Sequence, residues 1–157
     1  MHHLPNLSFL QTRTARIELA RRRFFDEGQI PTGVVGEAVF ESWSRCLRVH
    51  GTPRVRATFE PVTASRTQLA LLKNRQLRQA WLDELPRLES ILGTTSCAAM
   101  LTDATGVVVG ASCVGRAHES LMPVATRLGV NLSEEAVGTT APGVAARTGK
   151  PVCVLGG

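Results

Sequence analysis

The chain has 157 residues, 43% of them hydrophobic and 20% charged, which is enough apolar content for a buried core and excludes disordered, collagenous and disulfide-dense classes. The formal charge of +5 belongs to the first part: residues 1–92 hold 14 Lys/Arg against 9 Asp/Glu, and residues 93–157 hold 4 of each. No apolar run approaches the ~20 residues that span a bilayer, and Met1–Leu10 lacks the basic and apolar regions of a signal peptide, so a soluble cytoplasmic protein with no membrane partner is expected. Cys46, Cys97, Cys113 and Cys153 are scattered without a CxxC or Cys/His cluster; this spacing signals neither a metal site, a cofactor nor a disulfide framework. Tyr is absent and other aromatics are few, which weakens a base-stacking nucleic-acid platform.

In chain order, Thr14–Glu27 is free of Gly and Pro and places Ile17, Ala20 and Phe24 on one face, predicting an amphipathic helix ended by Gly28. Its cluster Arg13, Arg16, Arg21, Arg22 and Arg23 is mixed with Glu18, Asp26 and Glu27 and spreads around the helix, as a solvated face does rather than a phosphate-tracking stripe. Ile30-Pro31-Thr32-Gly33 reads as a turn. Val39, Trp43, Cys46 and Leu47 then recur at helical steps and predict a second helix over Val35–Val49, stopped by Gly51-Thr52-Pro53. Arg54–Pro61 is a basic connector, and Thr63 is placed to cap the next helix.

Leu69, Leu72, Leu77, Trp81, Leu85, Leu88 and Leu92 make a stripe along one long helix, Ala64–Leu92, that serves as core or as a dimer seam; Pro86 predicts a kink or restart there. After Gly93 the texture becomes strand-like. Ser96–Thr102 and Val107–Cys113 flank Asp103-Ala104-Thr105-Gly106, a type I turn with a left-handed Gly and a bulge, which sets Leu101 opposite Val109, Ala99 opposite Ala111 and Cys97 opposite an unbridged Cys113. Ser133 with Glu134 and Glu135 reads as a helix start, and the helix to Arg147 is interrupted near Gly138 and Pro142 and closed by Gly149. Val152–Leu155 reads as a further strand.

Val39-Phe40-Glu41-Ser42-Trp43-Ser44-Arg45-Cys46 followed by Gly51 and Pro53, the helix with Asn74 and Leu77, and Leu101-Thr102-Asp103-Ala104-Thr105-Gly106 resemble the N-terminal sensory region of sigma-54-dependent activators of the acetoin and dihydroxyacetone type. Gly129-Val130-Asn131-Leu132-Ser133-Glu134 and Gly138-Thr139-Thr140 are similar to that family's GAF domain. The resemblance implies an α+β chain: an N-terminal helical region, residues 1–62, and a long helix plus partial GAF-like antiparallel sheet domain, residues 63–157, truncated at Gly156-Gly157. It also implies a small-molecule sensor whose relatives continue into an AAA+ ATPase and a helix-turn-helix domain. This sequence has no GxxxxGK[ST] phosphate loop, so contact with DNA and RNA polymerase is expected only through domains absent from it.

The ligand-binding segment implied is Gly129–Thr140, with Asn131, Leu132, Ser133, Thr139 and Thr140 as the binding residues. Polar and apolar residues alternate there, as in a mostly apolar pocket, although Ser133 and Thr139 equally suit helix ends and turns. Leu132 stands where the family commonly has Trp, and Thr140 where it has Asn, so the family's ligand does not carry over; a small neutral diol or hydroxyketone effector is expected, and a homodimer through the N-terminal helices or the long Ala64–Leu92 helix. Trp43 reads as a packing residue, Arg45 as a carboxylate clamp or ion-pair partner, and Cys46 as an inert buried thiol. Cys113 and His118 lack an identifiable third group for nucleophilic catalysis, so no enzyme is expected. A GAF-type redox enzyme resembling methionine sulfoxide reductase and a small basic DNA-binding protein are the alternatives.

Overall fold

The computed structural model describes residues 12–52 and 57–155; the expectations for Met1–Leu10, for Pro53 and the start of the Arg54–Pro61 connector, and for Gly156-Gly157 lie outside these. The fold is α+β. Helix α1 (Arg13–Arg21) runs into a π-helical turn (Arg22–Asp26), followed by α2 (Glu37–His50), α3 (Ala64–Lys73), α4 (Arg75–Leu92), strands β1 (Ala99–Thr102) and β2 (Val108–Ser112), a 3-10 turn (Val114–Arg116), and the short helices α5 (Leu121–Ala125), α6 (Glu134–Val137) and α7 (Ala141–Thr148). None of the described helices is long and apolar enough to cross a membrane.

Thr12 starts α1 by accepting the Ala15 N–H. In an uninterrupted α-helix adjacent side chains point about 100° apart, so the sequence pattern puts only Phe24 on the packed face. The wider turn closed by the Glu27 N–H on the Arg22 carbonyl, 3.1 Å, brings both Phe24 and Phe25 against Trp43, with ring centroids 5.6 and 5.3 Å away. Trp43, Val39 and Ala20 form the buried centre of this cluster. Gly51, at φ 70°, ends α2 in the left-handed conformation.

Thr63 caps α3 as its hydroxyl predicts, accepting the Arg66 N–H. No restart occurs at Pro86, which stays inside α4; the break in the long helix falls at Asn74 (φ −101°, ψ 19°). The Asn74 amide donates to the Ala70 carbonyl at 2.8 Å, the local side-chain bond by which Asn competes with helix. The carbonyl that Pro86 leaves without an N–H belongs to Leu82, an exposed residue, where water can serve as the partner.

The hairpin turn forms as its residues dictate. Gly106 sits at φ 87°, and the Asp103 carboxylate accepts from the Thr105 N–H and hydroxyl at 2.8 Å and from the Val107 N–H at 3.0 Å. The expected register is corrected beyond the first pair. Thr102 faces Val108, but a bulge then sets Leu101 opposite Gly110, Met100 opposite Ala111 and Ala99 opposite Ser112. Cys97 therefore lies ahead of β1 and is exposed, Cys113 follows β2, and the two are not cross-strand neighbours. The cause is α4. Arg78 Nε donates to the Val109 carbonyl at 2.9 Å, and the Trp81 indole lies so close to Gly110 that a Cβ there would be 3.2 Å from the ring.

Residues 129–132 run between two neighbours. The Val62 N–H donates to the Gly129 carbonyl and the Asn131 N–H to the Glu60 carbonyl on one side; the Gly129 N–H donates to the Val108 carbonyl and the Leu132 N–H to the Gly106 carbonyl on the other. Val130 and Leu132 are thereby buried with Val108 and Val137. A third cluster, Ala70, Val107 and Val109, joins α3 to the hairpin. The strand expected at Val152–Leu155 does not form; no strand partner adjoins it among the described residues, and Val154 packs against the Trp43 cluster instead.

Candidate functional site

Positions 42, 45 and 46 lie on one face of α2 because residues three and four apart are helical neighbours. That face is Ser42, Arg45 and Cys46, and it meets the segment Glu134–Thr139. Arg45 grips Glu134 as a fork: Nε donates to Oε2 and Nη2 to Oε1, each at 2.8 Å. The Arg45 side chain keeps 20% of its exposure and that of Glu134 only 8%. The fully buried Ser42 hydroxyl bonds the Thr139 hydroxyl at 2.8 Å, and the Cys46 thiol points at the Glu134 carbonyl oxygen, 3.7 Å away.

Burial is the largest single influence on the Glu134 carboxyl and pushes its pKa up. The hydrogen bonds from Arg45 and Ser42, with the charges of Arg45 and Arg147, together outweigh it and hold the group below the usual carboxylate range. Arg45 is raised in turn, first by its hydrogen bond to Glu134. The pair is therefore ionised at neutral pH.

Local sequence explains how the segment reaches α2. Gly138 takes φ 85°, ψ −155°, a region essentially reserved for glycine, and reverses the chain so that Thr139 faces Ser42. Thr140 caps α7, accepting the Gly143 N–H at 3.1 Å while its hydroxyl donates to the Leu132 carbonyl at 3.0 Å. Gly143 stands inside a helix because a Cβ there would lie 2.5 Å from the Leu132 carbonyl oxygen. The expected interruption falls at residues 138–140, between α6 and α7; Pro142 itself occupies the first turn of α7, where its missing N–H is not needed.

The five residues assigned to ligand binding are brought into one region, with most of their polar groups engaged internally; the Ser133 hydroxyl stands at the N-cap of α6 but makes no cap bond. Asn131 Oδ1 accepts the Ser133 N–H at 3.0 Å, Leu132 is core, the Ser133 carbonyl accepts from Ala136 and Val137, Thr139 bonds Ser42, and Thr140 caps α7. A cavity of about 130 Å³ adjoins the ion pair, lined by Arg45, Cys46, Arg48, Glu134, Glu135 and Arg147 with Val49; none of the five lines it. Arg45 is legible from sequence as a carboxylate clamp. Glu134 is missed, since beside Glu135 at a helix start it reads only as a favourable first-turn charge.

Cys113 and His118 are separated by the 3-10 turn, and among the described residues no hydrogen bond joins them. No group of three or more His, Cys, Asp or Glu among the described residues is placed to hold a metal ion. Helices α1 and α2 are connected by residues 27–36, much longer than the three- or four-residue turn of a helix-turn-helix. Family models, curated proteins and solved structures were compared with this chain, and none matches.

Proposed function

We propose that the chain is the signal-sensing region of a bacterial sigma-54-dependent transcriptional regulator, with a GAF-like sensor unit that takes a small neutral oxygenated effector. One observation carries this reading. The helix bearing the Ser-Trp-Ser-Arg-Cys motif is fastened by Arg45–Glu134 and Ser42–Thr139 to the segment that supplies the remaining family-like residues. An effector hydroxyl that replaces the Ser42–Thr139 bond changes how α2 is held, which is the differential contact a sensor needs. Catalysis has no part in this reading.

The test is a thermal-shift series on the whole chain with short diols, hydroxyketones and nucleotides. Stabilisation by a diol or hydroxyketone, growing with concentration as ligand linkage requires, supports the reading. No stabilisation by either class, or stabilisation by nucleotides alone, overturns it.

The same reading includes a homodimer through α3 and α4, which leave Leu69, Leu72, Leu77 and Ile91 exposed. Arg66, Lys73 and Arg75 occupy the first part of this helical run, and Asp83, Glu84 and Glu89 outnumber Arg87 in the last, so an antiparallel second copy sets basic against acidic ends. Light scattering should give twice the chain mass at high micromolar concentration, with dissociation promoted by salt. A monomer under those conditions refutes the dimer.

A further inference from the structure

A groove of about 340 Å³ lies between α4, strand β2 and residues 126–128, away from the Glu134–Thr139 segment. Its floor is Val109–Ala111 and its walls include Trp81, Leu82, Leu85 and Leu128. Arg78 and Arg127 also line it, and no acidic residue does. Arg78 uses Nε on the Val109 carbonyl, which leaves its two terminal nitrogens, and neither arginine has an ion-pair partner among the described residues.

The acids of α4 are turned to other tasks: Asp83 accepts from Gln79, Glu84 stands near Arg87 and Glu89 accepts from Ser112. The Trp81 Nε1–H has no acceptor among the described residues. The Thr126 hydroxyl donates to the Met122 carbonyl. The groove side chains thus offer two guanidinium groups and an indole donor above an apolar wall, a set that complements an anion carrying an apolar body.

We propose that this groove is a binding site for an organic carboxylate with an aryl or alkyl body, the carboxylate on Arg78 and Arg127 and the body against Trp81, Leu85 and Leu128. The size agrees, since cavities of roughly 300 Å³ and above accept small organic ligands. The site is independent of the effector reading, because neutral diols and hydroxyketones bring no charge for two arginines.

The indole of Trp81 reports on the groove, while Trp43, the other tryptophan, is buried in a separate cluster. Titration of the whole chain with 4-phenylbutyrate should change tryptophan emission saturably, with a midpoint on the order of 1 mM or below. The uncharged 4-phenylbutanol should bind at least about tenfold more weakly, and so should phenylbutyrate to Arg127→Gln, whose exposed side chain can be replaced without unfolding the chain. Inorganic phosphate at matched ionic strength should not compete. No saturable change, equal binding of the alcohol, unchanged binding by Arg127→Gln, or displacement by phosphate at the same concentration each overturns the proposal.

Discussion

Arg45→Met is expected to lower the stability of the chain by about 3 kcal/mol at neutral pH, because it leaves the Glu134 carboxylate in a buried site without its counter-charge. Met keeps much of the stem volume, so the loss reports charge and hydrogen bonding rather than a cavity. The double substitution Arg45→Met with Glu134→Met should recover most of the loss, since a buried pair replaced on both sides by apolar groups is often close to neutral. Urea unfolding of the parent, both single variants and the double variant gives the coupling directly.

The pH dependence has a definite sign. Glu134 is held below its ordinary value of 4.5 in the folded chain, so its contribution is complete above that value and is lost as the pH falls through the depressed folded value. In Arg45→Met the burial that pushes the carboxyl up is no longer opposed by the guanidinium, and acidification toward pH 5 should stabilise that variant relative to pH 7. An Arg45→Met chain as stable as a variant at exposed Arg48, with no change in pH dependence, would show that water already screens the pair.

Gly115→Ala should cost about as much for a different reason. A Cβ at 115 would lie 2.5 Å from the carbonyl oxygens of Thr95 and Cys97, and would also run into that of Leu92. All three are backbone atoms at the end of α4 and in the turn leading to β1, so relief requires moving the connection itself. A loss of about 3 kcal/mol is expected, lowering the melting temperature by roughly 6–12 °C for a domain of this size. Gly36→Ser is the matched control. Gly36 is the N-cap of α2 at φ −63°, a Cβ there meets nothing within 4 Å, and Ser is itself a favourable cap. A melting temperature for Gly115→Ala within 2 °C of that control, on the order of what 1 kcal/mol gives, would show that the turn yields without cost.

What the sequence reveals here is local chemistry. Asp103 and Gly106 dictate their own turn, Thr63 its cap, and Gly51 and Gly149 their helix ends, because each acts on backbone groups within four residues. The bulge beyond Thr102 is set by Trp81 and Arg78 reaching β2 from a helix, and nothing within the hairpin encodes it. Pro86 is a local breaker whose effect depends on which side of α4 faces water, a tertiary fact. Val152–Leu155 has strand composition, yet a strand exists only where a partner edge is at hand. At the candidate site the chemistry of Arg45 is readable and its partner is not, since Arg45 and Glu134 are 89 positions apart.

That separation bears on synthesis. Ser42 waits for a residue 97 positions later, and Trp43 for Val154. At roughly 5–20 residues per second, the stretch from Arg45 to Val154 takes roughly 5–20 s to translate. Throughout that interval Phe24, Phe25 and Trp43 have no completed cover, and for most of it Arg45 has no counter-ion on Glu134. The nascent N-terminal helices are therefore a natural client for a ribosome-associated chaperone, and slow translation of the later half would lengthen their exposure to aggregation.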